Sequence, residues 1–327
     1  MSLEVIEGGL LTTVQDAGRP GWTHLGVPIG GACDQSSLAI ANLLAGNPSG
    51  AAALEMTLVG GTYRATAQLR IGLAGADLGG HVRETGRPLA PGRAHVLAAG
   101  STIAFPGVAE VRAGARAYIA LPGGIDVPVV LGSRATALAS AFGGVEGRAL
   151  RGGDIIRAAR QEPADRTWPP AIWPAKPVDL DMDGAIRVIA GPWGRVDHLV
   201  GRSWRVGAGS DRIGLRLEGE PIDPIGFPAL PSFGVVPGAV QLPPDGMPIV
   251  LLADAQTTGG YPVIAVAIAA DMPRLAQLRP GAEFRFEEVS TESATDALRS
   301  QAAAFERGGR ILREAAGWDD AWQGAGG

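Results

Sequence analysis

Cysteine is almost absent from this 327-residue chain, and its scarcity excludes a fold that is held together by internal disulfides. Cys33 is the one cysteine, so the chain cannot form an internal disulfide and is compatible with a reducing compartment. The adjoining sequence offers Cys33 no histidine partner. Cys33 is therefore predicted to be a small core residue rather than a nucleophilic thiol.

Lysine is equally scarce, because Lys176 is the one lysine among 28 basic residues. No GxxxxGK sequence is present, so the chain lacks the phosphate-binding loop of the commonest ATPases. Any ATP is expected to be a co-substrate that binds with a partner protein. Lys176 lies in WPAKP, unlike the MKM-like hairpin of a biotin carrier, so no biotin is expected to be attached to this chain.

Charged residues are few, the net charge is negative and the apolar runs are short, so the chain is not expected to bind nucleic acid or to span a membrane. Charged residues make up 19% of the chain, the formal net charge is -5 and the pI is about 5.5. No basic field exists to hold an anionic polymer or surface, and no apolar run approaches the roughly 18 residues of a membrane span. The start lacks a signal-like pattern, so a cytoplasmic location is expected. The four histidines are scattered, so no metal site is predicted.

Glycine and proline, by contrast, are abundant, with 49 and 25 residues, and they separate many short apolar segments. This pattern favours a mainly β fold. Apolar runs of four to six residues predict strands, and AHVLAAGSTIAFPG predicts two strands paired across a Gly-Ser turn. The predicted strands are QLRIGLAG, AHVLAA, RAYIALPG, GGDIIRAAR, AIRVIAG, GLRLEG, PIVLLAD and EFRFEEV.

Helices are predicted at three places. Asp34 is a credible N-cap for a helix to Ala45 that Gly46 ends, and a second helix begins near Asp271. A third covers 293–316, with a break at Gly308-Gly309. The predicted domains are 1–160 and 178–290, joined by a Pro-rich connector at 161–177 and followed by a helical tail at 291–327. Trp318 and Trp322 in that tail are expected to dock on a neighbouring surface.

The segment DAQTTGGYPVIAVAI, residues 254–268, places polar residues between two apolar strand-like runs. Glycines at such a junction permit positive φ and let a ligand approach backbone N–H groups. The alternative for this pattern alone is a plain β-turn, in which the threonines satisfy local backbone groups. The candidate site residues selected here are Asp254, Thr257, Thr258, Gly259, Gly260 and Tyr261.

Three further segments carry polar residues that could share the same cavity. In residues 9–34, Asp16 and Arg19 stand three apart across a glycine and are predicted to pair, either to lock the loop or to contact a ligand. In GAGSDRIGLRLEG, residues 207–219, Ser210 and Arg212 lie in a polar turn. Arg212 either grips a carboxylate or lies on a solvated face. Gln241 follows a Gly- and Pro-rich loop that leads toward residue 254.

Five stretches, in order along the chain, resemble one family: TTVQDAGRPGWTHLGVPIGGACD, LEMTLVGG, RAYIALPGGIDVPVVLGSRAT, GSDRIGLRLEG and LADAQTTGGYPVIAVAIAADMPRLAQLRPG. It is the family of 5-oxoprolinase C subunits, also called allophanate hydrolase subunit 2 or KipA and labelled biotin-dependent carboxyltransferase. The resemblance spans residues 3–289. It implies two cyclophilin-like β-barrel domains with a few short helices. Cys33 departs from the family, which more often has methionine there, and the region after 289 is not matched.

The resemblance implies a subunit of an ATP-dependent 5-oxoprolinase complex. With partners that resemble the A and B subunits of that complex, the latter KipI-like, it would open the lactam of 5-oxoproline to glutamate. One alternative is a carboxyltransferase half-site that moves carboxyl from carboxybiotin on another protein to a urea-like or amide acceptor. Another is a regulatory KipA-like protein that binds a kinase-inhibitor protein. A heterodimer or heterotetramer with the B-type partner is expected, and the isolated chain is expected to be nearly inactive.

These chemistries share a planar amide-like group, which suggests roles for the selected residues. Backbone N–H groups near 259–260 and the two threonine hydroxyls would stabilise negative charge on the carbonyl oxygen. A carboxylate would orient water, and the tyrosine would donate a proton or wall the pocket. The expected catalytic residues are Asp254, Thr257, Thr258 and Tyr261. The expected substrate-binding residues are Asp16, Arg19, Ser210, Arg212, Gln241, Gly259 and Gly260.

Overall fold

The two largest hydrophobic clusters among the described residues lie between a pair of β-sheets and inside a closed β-barrel. The computed structural model describes residues 1–163, 168–174, 184–224 and 230–316. The predicted mainly β fold is confirmed. Much of the predicted connector, including Lys176, lies outside the described residues, as do Trp318 and Trp322. The predicted domain boundaries stay predictions.

The first core belongs to what we call the two-sheet unit. Its strands form one sheet in the order β10-β1-β4-β8-β6 and another in the order β2-β3-β9-β5-β7, with every described neighbour antiparallel. Leu3 and Val5 alternate with more exposed neighbours and meet Leu54 and Met56 from the facing sheet. The elements are β1 (Ser2–Glu7), β2 (Leu11–Gln15), α1 (Gln35–Ala45), β3 (Ala53–Thr57), β4 (Thr62–Ala65), β5 (Leu69–Gly75), β6 (His81–Val82), β7 (Arg93–Leu97), β8 (Thr102–Ala104), β9 (Arg116–Ala120) and β10 (Ile155–Arg157).

One predicted pairing in this unit is wrong. The strands β7 and β8 do not form a hairpin, because β7 pairs with β5 in one sheet and β8 pairs with β4 in the other. Leu97 and Ile103 are both fully buried and belong to the same core. The chain therefore crosses from one sheet to the other so that both apolar side chains face the space between the sheets.

The helix α1 follows its predicted bounds closely. The Asp34 carboxylate accepts a hydrogen bond from the Ser37 N–H at 2.9 Å, and Gly46 ends the helix in the left-handed region at φ 75°. Leu38, Ala41 and Leu44 are fully buried, as expected for residues sharing one face. This face packs on β5 and β9 and fixes the loop before the helix against the sheet.

The second core lies inside the barrel unit, a closed barrel in the order β11-β18-β15-β16-β13-β12-β19. A parallel pairing of β11 with β19 closes it. Alternation in EFRFEE directs Phe284 and Phe286 inward, and the Trp204 indole fills the interior while donating to the Leu199 carbonyl at 3.0 Å. The elements are β11 (Ile186–Ala190), α2 (Val196–Leu199), β12 (Ser203–Val206), β13 (Gly214–Glu218), β14 (Phe233–Gly234), β15 (Ala239–Gln241), β16 (Ile249–Leu251), β17 (Thr258–Gly259), β18 (Val263–Ala267), α3 (Met272–Gln277) and β19 (Glu283–Glu288).

A long helix, α4 (Thr291–Ala316), connects the two units. Gln301 donates to the Ala270 carbonyl of the barrel unit at 3.0 Å, whereas Leu312 packs into the cluster around α1. The predicted break at Gly308-Gly309 is wrong, because the helix runs through both glycines. A Cβ on Gly308 would lie 2.6 Å from Cζ2 of Trp173, so this glycine is needed for close packing rather than for a break.

Candidate functional site

A cleft of about 690 Å³ opens where the two units meet. One wall comes from the loop that precedes α1 in the two-sheet unit, and the other from two segments of the barrel unit. The main-chain N–H of Gly30 donates to the Ala253 carbonyl at 3.1 Å and joins the two walls. The lining residues are Thr23, His24, Gly26, Pro28, Ile29, Gly234, Val235, Val236, Pro237, Ala253, Ala255, Gln256, Thr257 and Thr258.

The barrel wall is the predicted DAQTTGG segment. It follows β16 and leads to β18, and both of these strands pair with β15, so the segment is a crossover rather than a tight hairpin. Residues Thr258–Gly259 form β17, which pairs with β14, and Val235 N–H donates to the Thr257 carbonyl at 3.0 Å. These bonds hold Thr257 and Thr258 on the cleft.

Some main-chain donors in this wall have no protein acceptor among the described residues. Within the described part of the chain, the N–H groups of Gln256 and Thr257 donate to no protein acceptor. Both residues line the cleft, and so does the neighbouring Thr258, which carries a hydroxyl. Adjacent N–H and hydroxyl donors can stabilise negative charge on a ligand carbonyl oxygen. The sequence prediction placed this donor group a few residues later, at 259–260.

The two glycines act differently from the prediction. Neither Gly259 nor Gly260 lies in the left-handed region, so the expected positive φ is wrong. A Cβ on Gly259 would instead lie 2.5 Å from Nε2 of Gln241. Gln241 is 1% exposed and accepts a hydrogen bond from Gln256 Nε2 at 3.3 Å. Gln241 thus supports a cleft residue from behind and does not itself line the cleft.

Arg212 is buried, although its polar turn allowed a solvated position. Its side chain is 3% exposed. Nε and Nη2 donate to the two Asp254 oxygens at 2.8 and 3.0 Å, Nη1 donates to Glu55, and Nη2 also donates to the Gly31 carbonyl at 2.6 Å. Every guanidinium nitrogen is therefore engaged within the protein. The predicted contact between Arg212 and a substrate carboxylate would require one of these partners to be exchanged.

Glu55, on β3, is the residue that sequence reasoning missed. One oxygen accepts from Arg212, and the other accepts from the Tyr118 hydroxyl at 2.7 Å and the Cys33 N–H at 2.9 Å. Burial opposes the charged form of Glu55, but the guanidinium groups of Arg212 and Arg116 outweigh it and lower the Glu55 pKa. The available signal was a lone carboxylate inside the apolar strand sequence ALEMT.

The thiol in this cluster is not activated. Burial raises the pKa of Cys33 to about 11, against the opposing influence of the nearby Arg212 and Arg116 guanidinium groups. Cys33 is 7% exposed and unpaired. The prediction of a core residue rather than a nucleophile agrees with this position.

The predicted pair between Asp16 and Arg19 does not form among the described residues. The Asp16 carboxylate accepts from the Gly18 N–H at 2.8 Å, the Ser133 hydroxyl at 2.6 Å and the Arg134 N–H at 2.6 Å. Arg19 is 1% exposed, donates to the Ala135 carbonyl and lies 4.8 Å from the Phe142 ring centroid, and burial lowers its pKa. Both residues lock the loop beside the cleft, and most of their partners lie far away in sequence.

The predicted residues Asp254, Ser210 and Tyr261 also lie outside the cleft lining. The Ser210 hydroxyl accepts from the Arg216 N–H at 3.0 Å and shapes the turn before β13. Tyr261 is 44% exposed and follows β17. Thr23 and His24, which the sequence analysis did not select, line the opposite wall.

A second set of contacts joins the units beside this cluster. The Gln277 side chain accepts from the N–H groups of Ala115 and Arg116 at 3.0 and 2.9 Å, and donates to the Arg116 carbonyl at 2.9 Å and to Asp34 at 2.7 Å. The Arg116 guanidinium donates to the Ala276 carbonyl. The seam behind the cleft is therefore polar, buried and hydrogen-bonded across the two units.

Two general features of the structure bear on function. Among the described residues, no group of three or more His, Cys, Asp or Glu side chains could hold a metal ion. The described helices include none with the length and apolar character needed to cross a membrane.

The fold and the cleft define a two-unit β protein of the carboxyltransferase type, and comparison with known proteins agrees. The family model for the carboxyltransferase domain, subdomain A and B, matches residues 25–288. The chain belongs to this family.

Relatives of two kinds are similar to the chain. It is 37% identical over 314 residues to the C subunit of 5-oxoprolinase from Escherichia coli, covering 93% of this chain and 97% of that protein. It is 32% identical to urea amidolyase of Lachancea kluyveri, covering 93% of this chain and 18% of that protein. The crystal structure of Kluyveromyces lactis urea carboxylase matches with a TM-score of 0.80 and 26% identity, over 94% of this chain and 29% of that one.

Proposed function

We propose that this protein is a subunit of an ATP-dependent 5-oxoprolinase complex that opens the lactam of 5-oxoproline to glutamate. The observation that carries this proposal is the extent of similarity. The match to a 5-oxoprolinase C subunit covers 97% of that protein, whereas the match to a urea amidolyase covers 18% of a much longer chain. The similarity to the 5-oxoprolinase C subunit therefore extends over nearly the full length of that protein.

The cleft supplies groups that suit lactam opening. Water adds to the ring carbonyl carbon, negative charge grows on the carbonyl oxygen, and the C–N bond then breaks as nitrogen takes a proton. The free N–H groups of Gln256 and Thr257, with the threonine hydroxyls, are suited to stabilise that oxygen. Asp254 adjoins the lining residues Ala253 and Ala255 in sequence, and its side chain is 13% exposed, so it is the proposed group that orients water from beside the cleft.

The rest of the machinery is assigned to partners. The sequence has no GxxxxGK loop, so ATP is proposed to bind with a partner protein. The proposed complex is completed by a B-type partner, which forms a heterodimer or heterotetramer with this chain, and by an A-type partner. The protein alone is expected to be nearly inactive. No resident metal or biotin is proposed for this chain.

The test is reconstitution. The protein is mixed with its A-type and B-type partners, ATP and 5-oxoproline, and glutamate and phosphate are measured. We expect glutamate from the full mixture and almost none when any one protein is omitted. Assembled, folded proteins that produce no glutamate would contradict the proposal.

Removing a cleft hydroxyl gives a residue-level prediction. Thr257→Val keeps the side-chain shape and removes the donor, and loss of one oxyanion donor typically lowers turnover by about 10²-fold. We expect that loss without a change in complex assembly, measured by glutamate release and size-exclusion chromatography. Thr295→Val, on the exposed face of α4, is the matched control and should keep wild-type turnover.

A carboxyltransferase half-site is the second candidate. It is favoured by the family match and by the fold shared with a urea carboxylase. In this case a carboxyl group passes from carboxybiotin on a carrier protein to the nitrogen of a urea-like or amide acceptor. Supplying a biotin carboxylase, a biotinylated carrier, bicarbonate and ATP should then give a carboxylated acceptor, and 5-oxoproline should give no glutamate.

A further inference from the structure

Three charged side chains form a row that runs from the segment beside the cleft into the two-sheet unit. Asp254 stands in the sequence between the cleft-lining residues Ala253 and Ala255, although it is not itself part of the lining, and its side chain is 13% exposed. Arg212 comes next, at 3%, and Glu55 is last, at 1%. Exposure therefore falls along the row, from Asp254 beside the cleft wall to Glu55 in the two-sheet core.

Arg212, the middle residue of the row, couples the orientation of the Asp254 carboxylate to that of Glu55 because its guanidinium group is rigid and planar. One edge of Arg212 holds both Asp254 oxygens, through Nε at 2.8 Å and Nη2 at 3.0 Å. The remaining nitrogen, Nη1, is held by Glu55. Since the five N–H groups of a guanidinium lie in one plane, fixing Nη1 also fixes the edge that faces Asp254.

Glu55 is itself held in place from the other side. Its second oxygen accepts from the Tyr118 hydroxyl at 2.7 Å and from the Cys33 N–H at 2.9 Å. Arg116 lies 3.8 Å from the first oxygen and adds positive charge. The carboxylate is thus anchored in the two-sheet unit, although the side chain it orients belongs to the barrel unit.

We propose that Glu55 is a positioning residue for the cleft, which acts through Arg212 to fix the Asp254 carboxylate. Glu55 does not touch the cleft, so its effect on turnover passes entirely through the other two side chains. The kinetic test of this proposal rests on the proposed function, whereas the crystallographic test of the Asp254 position does not.

The structural test compares two variants that each remove a buried polar group of the two-sheet unit. Glu55→Gln removes the charge that holds Arg212 Nη1. Tyr63→Phe is the control, because it removes a buried hydroxyl of the same two-sheet unit that bonds Thr12 and Gly61 and not Glu55. Crystal structures should show the Asp254 carboxylate displaced in E55Q and in its wild-type position in Y63F. An undisturbed Asp254–Arg212 pair in E55Q would overturn the proposal, whatever reaction the protein catalyses.

The kinetic test uses the reconstituted complex. Misplacing a reacting group by about 1 Å can lower the rate by about 10²-fold, so E55Q should lower kcat by about 10- to 100-fold with KM changed less than about threefold. Y63F, which leaves the Glu55 cluster intact, should retain most of the wild-type kcat. Because Glu55 acts through Asp254, the E55Q/D254N double variant should be no slower than D254N alone. Additive losses would indicate a merely structural role and overturn the proposal.

A second variant covers the case in which E55Q does not fold. Arg212→Lys keeps the positive charge beside Glu55 but cannot hold both Asp254 oxygens in one plane. Displacement of Asp254 in the R212K crystal structure supports the proposal, and retention of its position counts against it. A wild-type complex that makes no glutamate would refute the proposed function, and the crystallographic comparison would still decide the role of Glu55.

Discussion

At the scale of single residues, the buried ions behind the cleft are the most consequential feature. Glu55 and Arg212 are 1% and 3% exposed and carry opposite charges. A buried ion pair adds little stability compared with an apolar pair, but removing one member leaves the other unpaired and costs about 3–5 kcal/mol. Changes at Glu55 therefore affect both folding and the orientation of Asp254.

The lowered pKa of Glu55 predicts a pH dependence of stability. Arg212 and Arg116 hold this pKa below the ordinary glutamate value of 4.5 against the effect of burial. Between the two values the unfolded chain binds more protons, so the contribution of Glu55 is present above about pH 4.5 and is lost as the pH falls through the folded pKa. The free energy of unfolding should therefore decrease as the pH is lowered from about 4.5 toward the folded pKa. Urea titrations at several pH values should show a smaller change of this free energy with pH in E55Q than in the wild type.

The buried Asp34 changes the free energy of unfolding with pH in the opposite direction to Glu55. Its contribution must therefore be separated from that of Glu55. Burial raises the pKa of Asp34 despite hydrogen bonds from Ser37 and Gln277. Its folded form retains a proton to higher pH than the unfolded form, so this residue favours folding at the lower pH. Because Glu55 also contributes to the raised pKa of Asp34, the comparison is made between D34N and E55Q/D34N, in which the Asp34 carboxylate is absent from both proteins. Identical slopes for the two proteins would contradict the assigned role of Glu55.

The site could be predicted from sequence in part. Thr257 and Thr258 were identified because polar residues between apolar runs mark a strand junction, and both lie on the cleft. Glu55 was missed because its partner Arg212 is 157 residues away, and no local pattern shows that β3 meets the turn before β13. The predicted pair between Asp16 and Arg19 was wrong for the same reason, because the bonds of Asp16 to Ser133 and Arg134 depend on contacts between distant parts of the sequence.

At the scale of elements, α4 shows how one close contact sets helix packing. Phe305 and Trp173 stack with their ring centroids 5.3 Å apart, and Gly308 passes directly over the same indole. The neighbouring Gly309 faces Leu43 and Arg313 at ordinary distances of 3.6 and 3.4 Å from a built Cβ. Two adjacent glycines in one helix therefore have different roles.

This difference predicts opposite effects of alanine. Gly308→Ala would place a methyl group 2.6 Å from a buried ring carbon and should destabilise the protein by about 1–3 kcal/mol. Gly309→Ala has room for the methyl group and should stabilise the protein by up to about 1 kcal/mol through helix propensity. Thermal or urea unfolding of the two variants checks the prediction. Equal effects would mean that the indole does not limit the approach of α4.

Most elements were accessible from sequence because their periodicity is local. Alternation in EFRFEE and the cap before α1 both depend on residues a few positions apart, and both are confirmed. The β7–β8 hairpin and the break in α4 were predicted wrongly because they depend on what each segment meets in three dimensions. From sequence alone, a glycine pair predicts a helix break, and only the structure shows that Gly308 packs against Trp173.

At the scale of the whole molecule, Gln277 ties the barrel unit to the two-sheet unit. Its amide makes hydrogen bonds to the main chain of Ala115 and Arg116 and to the Asp34 carboxylate, which also caps α1. One barrel residue thus reaches a strand and a helix of the other unit. The two units should consequently unfold together.

Removing this amide tests the coupling. Gln277→Ala leaves buried donors and acceptors unsatisfied and should lower the free energy of unfolding by about 3 kcal/mol or more. Gln301→Ala, which removes one hydrogen bond from α4 to Ala270, should cost about 0.5–1.5 kcal/mol. Urea unfolding followed by fluorescence measures both. A loss in Q277A no larger than in Q301A would show that the seam does not couple the units.

The row of three charged side chains also limits how the gene can be rearranged. Cutting the polypeptide between the two-sheet unit and the barrel unit would separate Glu55 from its guanidinium and expose Arg212 with half its partners gone. Each fragment would then expose a charged group that has lost part of its hydrogen bonding on a surface shaped to be hidden, which favours aggregation over independent folding. Separately expressed halves should therefore be less soluble than the intact protein, even though each half has a core of its own.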